Sequence, residues 1–507
     1  MRLTRLRRYE EITQPRHHYL SRSNNRRLRL DWSRPGTEAG RGVGLEAHAA
    51  VPREIHVDAA TLPAATGAIR EVLLKSGTPE VKGAETPKEA AIFLLQLAAQ
   101  VEHALMVQYL YAAASVFGSV DGNENPWNKI MSVAVQEMGH LVSVQNLLLA
   151  IGGPAAFHFG RDTIRATSKH NPLPMTLEPV SEATLARFVV AEMPAEINDV
   201  ALKVRVDKLI ELSGLRPHRV GAIYAKLFWL FQPDDNPMPP LNLSPAPELG
   251  LHAGMHLKPS DFVAPAIIEE YEALRHDWLR GSVEGFILDR VTDSASALNL
   301  ISDISEQGEG LGEAKDSHFF EFLELLDALK AQNVTVVPLP DTPVARLAPA
   351  PDAIKTTPLT TPYAKVWAEL FELRYSLLLL DLWHAISIPN SSPVRRNLID
   401  LAYGNMKFLG DITRHLLGQR ENAPDAAPPY SLWHDDLPPT DALRWQRHLQ
   451  ALLAQAQITE AIRRSPEFQD CSTTECEILD FDGNLLLENL EQSDIARRSL
   501  IPPHPGT

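Results

Sequence analysis

The sequence predicts an all-α protein, a helical bundle with long loops and additional C-terminal helices, and three observations predict it. Residues 91 to 153 hold two long apolar patterns of helical period, divided by the turn-rich run from Asp121 to Pro126. Helical patterns recur down the chain, while few segments alternate apolar and polar residues as half-buried strands do. The 39 prolines gather at Pro233 to Pro247, Val337 to Pro362 and Pro424 to Pro439, where they break helices and mark long connections.

Taken in order, Met1 to about Val51 reads as a disordered, arginine-rich tail. It lacks the continuous apolar core of a secretory signal, and its acids Glu10, Glu11, Asp31 and Glu38 argue against a transit peptide. Residues 52–345 are expected to form the metal-binding bundle, with residues 346–507 a C-terminal helical region packed on it. Ala59 to Ser76 is a helical lead-in. The first long helix starts at Thr86-Pro87, where Thr86 caps and Pro87 fits the first turn. The second starts after Asn125-Pro126 and stops at Gly152-Gly153-Pro154. Their short connection makes them antiparallel neighbours.

Phe157 to Pro179 is irregular, and Ser181 opens a third helix that places Glu192 in apolar company before Pro194 limits it. Val220 to Phe231 is an apolar helix with Tyr224 inside it. Helical patterns at Ala266 to Arg280 and Ile287 to Leu300 follow, and Gly308 and Gly310 interrupt the pattern between Glu309 and His318. Ala364 to Ile386, Asn397 to Leu417 and Asp441 to Arg464 complete the helices, the first two with apolar faces that need the earlier bundle as partner.

Bulk properties narrow the function. A net charge of −16 leaves no large basic surface for nucleic acid. No uninterrupted apolar run reaches membrane-spanning length, since Ser376 to Trp383 is short and contains Asp381. Cys471 and Cys476 are too few for a disulfide framework and lack partners for zinc, so they read as free thiols in a reducing cytoplasm.

The chemistry sits in the two long helices. Glu102 with His103, and Glu137 with His140, interrupt apolar runs, and a buried carboxylate must be paired, protonated or metal-bound. Glu137 and His140 stand three apart, on one face about a turn from each other. That is half of a ferritin-like dinuclear carboxylate site, in which one carboxylate bridges two metals and an imidazole of the same helix is terminal. One Glu-x-x-His is expected by chance about once in such a chain. The bland alternative is a buried ion-paired cluster; what favours metal is the second apolar helix that also carries a Glu. His103 lies about 100° round the helix from Glu102, a supporting or surface position. Asp381 with His384, and Asp411 with His415, read as local structural pairs.

Gln100 to Tyr111, Glu137-Met-Gly-His140, Phe188-Val-Val-Ala-Glu192-Met-Pro-Ala-Glu196, Glu306-Gln-Gly-Glu309-Gly310 and Ser317-His318-Phe319 resemble, as an ordered set, the ferritin-like domain of the iminophenyl-pyruvate dimer synthase family. The resemblance runs from about Thr86 to Leu417. It implies a ferritin-like bundle and oxidative coupling of tryptophan-derived imines, as in the violacein pathway. It also implies Glu102, Glu137, His140, Glu192, Glu309 and His318 as metal ligands, with Glu196 and Glu306 as alternates. Glu309 and His318 are nine apart instead of three, a departure from the simple pattern.

The expected function is oxidative metalloenzyme chemistry in secondary metabolism. Carboxylate-rich ligation with two imidazoles suits a pair of iron ions, or manganese, that handle O2 or peroxide. Tyr109, seven residues after Glu102, lies on the same helix face and is the candidate catalytic side chain; a core tyrosine with a satisfied hydroxyl is the alternative. The partners expected are a small amino-acid-derived or aromatic substrate, neither nucleic acid nor membrane, and a second copy of the chain. The rivals are a ferroxidase, peroxide-scavenging or metal-handling protein, and a metal-free scaffold.

Overall fold

A computed structural model describes residues 22–23, 26–33, 64–117, 125–161, 171–233, 246–278, 285–308, 317–331, 333–345, 355–431, 437–469 and 472–499. The chain is all-α, with two-stranded pairings at Arg22–Ser23 with Arg26–Arg27, Arg29–Ser33 with Thr78–Lys82, and Pro343–Val344 with Thr357–Pro358.

Helix α1 (Ala64–Ser76) leads into α2 (Pro87–Ser115) and α3 (Pro126–Gly152). Thr86 caps α2 by accepting from the Glu89 N–H, and Pro87 occupies its first turn. Asn125 does the same for α3, which ends where Gly153 takes φ +68° ahead of Pro154. The two run antiparallel: Gln96 near the start of α2 bonds the Ala156 carbonyl just past α3, and Phe117 beyond α2 meets Trp127 at the start of α3. Nearly every side chain of α2 is buried, the mark of a central helix apolar all round. By length and composition α2 would suffice to cross a membrane, although Glu102 and His103 interrupt its apolar run. Here 89% of its apolar window is buried inside the fold.

The remaining helices enclose this pair. They are α4 (Glu182–Ala191), α5 (Val200–Ser213), α6 (Arg219–Phe231), α7 (Ser294–Gln307) and α8 (His318–Lys330). Of these, α6 packs on α2 and α7, and α8 packs on α4 and α3. Beyond them, α9 (Pro362–Ile386), α10 (Pro393–Gly418), α11 (Asp441–Arg463) and α12 (Thr473–Ser499) pack on one another. One continuous apolar core joins both sets, from Leu28 to Leu485.

Three sequence expectations change here. Arg29–Ser33 pairs with Thr78–Lys82, Leu28 and Leu30 are buried, and Trp32 takes the Arg219 guanidinium on its ring at 3.7 Å, so this part of the expected tail belongs to the fold. Cys476 is in a disulfide rather than a free thiol; Cys471, the other cysteine, lies outside the described residues. Closeness in sequence serves a disulfide as well as it serves two thiols, and the reading of a reducing compartment loses that support. The local Asp–His pairs are also not made. His384 bonds Asp441 at 2.8 Å and His448 at 3.1 Å, Asp381 takes Asn405 and lies 3.3 Å from His448, and His415 faces Glu475. In each case a tertiary neighbour outcompetes the partner one turn away.

Candidate metal centre

Five ionisable side chains converge in the bundle interior, each with 2% or less of its surface exposed. They form two groups, Glu102 with Glu137 and His140, and Glu137 with Glu192 and His318. Within each group the candidate ligand atoms lie within 4.8 Å of one another. Glu137 belongs to both.

Each imidazole is held the same way. His140 Nε2 donates to Gln307 Oε1 at 2.9 Å, and His318 Nε2 donates to Gln136 Oε1 at 2.8 Å. The Nδ1 atoms therefore face the acids. His140 Nδ1 is 3.0 Å from Glu137 Oε2 and 3.5 Å from Glu102 Oε2; His318 Nδ1 is 2.9 Å from Glu137 Oε1 and 3.6 Å from Glu192 Oε2. The outer oxygens of the terminal acids are held by phenols, Tyr224 donating to Glu102 Oε1 and Tyr109 to Glu192 Oε1. The result is a pseudo-twofold arrangement about Glu137: tyrosine, glutamate and histidine on either side, with one carboxylate shared.

These donors fit a pair of cations. An imidazole whose Nε2–H is committed to a glutamine turns its Nδ1 lone pair toward two carboxylates, a repulsive contact unless a second proton or a metal ion lies between. Glu137 Oε1 and His318 Nδ1 make no hydrogen bond despite their closeness and full burial. Two ligands at roughly 2.1 Å from one ion, about 90° apart, would themselves be separated by about 3.0 Å. Without metal, protons take the role. Burial opposes charge on His140 and His318, but Glu137 and the terminal acids outweigh it and raise both, His318 to about 9. Burial pushes Glu102 up to about 8 and raises Glu192, with Glu137 adding to both. Burial also pushes Glu137 up, yet the two imidazolium neighbours hold it well below the usual carboxylate range.

Local structure explains the positions. Glu102, Glu137 and His140 sit mid-helix, where α2 and α3 face each other. Glu192 is the residue that ends α4, because Pro194 cannot continue it, and Glu196 is thereby turned out to solvent. His318 is the first residue of α8, after the interruption that the glycines signal. Gly308, at the end of α7, leaves room beside the ligands: a Cβ there would sit 3.4 Å from Glu192 Oε2.

Glu306 is corrected. It is exposed on α7, and its neighbour Gln307 turns inward to His140. Glu309 lies outside the described residues. Tyr109 is fully buried against Phe188 and Phe322, and its hydroxyl reaches a carboxylate of the cluster. His103 is neither in the cluster nor at the surface. Its ring takes the Phe159 carbonyl at 2.8 Å on one nitrogen and the Tyr375 hydroxyl of α9 on the other. Tyr224, Gln136 and Gln307 were not assigned from sequence. A polar residue inside an apolar helix, as Tyr224 is, was the one available signal.

The fold and the cluster together define a ferritin-like domain: residues 95–234 match the Ferritin-like family. That stretch carries Glu102, Glu137, His140, Glu192 and Tyr224. The chain is also similar to dichlorochromopyrrolate synthase from Lentzea aerocolonigenes, 26% identical over 399 residues, covering 67% of this chain and 35% of that protein. It is similar to 2-imino-3-(indol-3-yl)propanoate dimerase from Chromobacterium violaceum as well, 30% identical over 128 residues, 20% of this chain and 13% of that one. The chain thus spans well under half the length of either relative. No solved structure matches it.

Proposed function

We propose that the chain is an oxidative metalloenzyme of secondary metabolism, using two iron ions, or manganese, with O2 or peroxide on a small aromatic, amino-acid-derived substrate. The observation that carries this reading is Glu137, whose two oxygens each face a different histidine, each histidine in turn facing a different terminal glutamate. In this reading Glu137 bridges the ions, Glu102 with His140 holds one, and Glu192 with His318 holds the other. Held by Glu102, Glu137, His140, Glu192 and His318, such a pair would supply redox chemistry toward O2 or peroxide.

The chain's own residues do the rest. Gln307 and Gln136 fix the imidazole tautomers. Tyr224 and Tyr109 hold the terminal carboxylates by their outer oxygens, and Tyr109 is the nearest proton donor on the Glu192 side. The apolar wall of α2, α4 and α8 excludes bulk water. The names of both relatives support the substrate class, one of them an enzyme acting on a 2-imino-3-(indol-3-yl)propanoate.

The substrate-free rival, a ferroxidase or peroxide scavenger, draws on one observation: the void among the ligands is only about 10 Å³, space for about one water. Oxygen uptake that strictly requires an added aromatic 2-imino acid supports the enzyme; equal uptake without it supports the scavenger. Glu137→Ala and His140→Ala should each abolish loading of iron, measured by metal analysis after reconstitution, with helical content nearly unchanged. Iron retained by both variants removes the assigned site.

A further inference from the structure

Next to the ligand void lies a second cavity, of about 220 Å³. Leu105 of α2, one turn after Glu102, lines both and is the wall between them. The larger cavity is completed by Gln108 of α2, by Arg187, Phe188 and Ala191 of α4, and by the turn after α5 at Ser213. Ala191 immediately precedes Glu192, so the cavity ends one side chain from the proposed metal ligands.

Its chemistry is selective. Arg187 is the one charged side chain among the described lining residues. Its contacts to Glu178 and to Thr176, the latter at 3.4 Å, both use Nη1, so among the described residues Nε and Nη2 are left for a ligand. Gln108 spends its amide N–H on the Ala104 carbonyl at 3.2 Å, leaving its oxygen to accept from an N–H. The other walls are apolar, with the Phe188 ring among them. A guanidinium fork matches a carboxylate, and 220 Å³ is below the roughly 300 Å³ at which drug-sized pockets begin. That is room for one aromatic amino-acid-sized molecule and too little for a coupled pair.

We propose that this cavity binds a single aromatic 2-imino carboxylate, or its 2-oxo analogue without the Gln108 contact, with Arg187 taking the carboxylate, Gln108 accepting from the imine N–H, and Leu105 separating the bound molecule from the metal ligands. The assignment rests on the function proposed above and names the residues that select its substrate.

Calorimetric titration of the metal-free full chain tests it, with phenylpyruvate as the carboxylate probe and indole as the probe without one. The expected result is one phenylpyruvate per chain, an affinity for it about tenfold or more weaker in Arg187→Met, and an indole affinity unchanged by that substitution. Arg187→Lys should restore part of the loss, and Ala191→Phe, which fills the cavity from another wall, should abolish binding of both probes. No phenylpyruvate binding to the unaltered chain, or binding that neither Arg187→Met nor Ala191→Phe weakens, overturns the proposal. Because no metal is present, the two readings fail separately: phenylpyruvate binding as expected in a chain that never loads iron would leave the cavity assigned and remove the oxidative function.

Discussion

At the scale of single residues, the cluster depends on groups outside its two donor sets. Gln136 and Gln307 each accept the Nε2–H of one histidine, which decides where the Nδ1 lone pair points. Replacing either by leucine keeps the bulk and removes the acceptor. Gln136→Leu and Gln307→Leu should each weaken metal binding about 10–100-fold, the usual effect of losing such a support, read by competition with a chelator. Unchanged affinity in both would mean that the histidines are positioned by packing alone. Glu102, Glu137 and His140 were legible in the sequence because charge in the middle of an apolar helix is costly and hence conspicuous. The glutamines were not, since a neutral amide beside an acid carries no such signal. Glu306 misled for a related reason: on a helix, adjacent positions differ by about 100°, and only the three-dimensional packing of α7 shows that Gln307 is the inward one.

At the scale of elements, the centre is built where helices end as much as where they continue. Glu192 closes α4, His318 opens α8 and Gln307 closes α7. Pattern reading is strongest in long helices, which is why α2 and α3 were placed from Thr86 to Gly152 with their caps. It is weakest at breaks, which is why the Glu309 to His318 interval depended on resemblance. Gly308 tests the importance of the break. Its missing side chain lies against Glu192, so Gly308→Leu should lower metal content sharply while Gly308→Ala, whose Cβ makes ordinary contact, should not. Equal metal content in the two variants would show that the space is not needed. The cap of α2 is a control away from the site. Thr86→Ala should cost about 1 kcal/mol of stability, by denaturant unfolding, without changing metal content.

At the scale of the whole molecule, the C-terminal helices are tied to the bundle by buried polar groups. His103, adjacent to Glu102, reaches Tyr375 of α9. One residue earlier, fully buried Arg374 bonds Asn405 of α10 and Asp482 of α12. Removing one member of such a pair strands a charge, so Arg374→Ala should destabilise the chain by roughly 3–5 kcal/mol in denaturant unfolding; a loss under about 1 kcal/mol would contradict the assigned pairing. Acid should act on both parts of the molecule, through His415 of α10 and through His218 at the start of α6. Burial lowers His415 to about 4 and His218 to about 3, from an ordinary 6.5. Below 6.5 the unfolded chain takes up protons that the folded chain refuses. Their contribution to stability is therefore complete above that pH and is lost as pH falls toward 4 and then 3. The unfolding midpoint should drop across this window, and less steeply in His415→Asn; identical slopes would exclude His415 as a source. None of these long-range pairs was visible in the sequence, where Asp381 and Asp411 stood closer to His384 and His415 than their actual partners do.

The oxidative function proposed for this chain requires that Glu137 join two ions inside the bundle. Anomalous scattering at the iron and manganese edges from crystals of the reconstituted protein tests it most directly. Two peaks are expected, one between Glu102 and His140 and one between Glu192 and His318, with Glu137 between them. A single peak, peaks elsewhere in the fold, or none after reconstitution would contradict it.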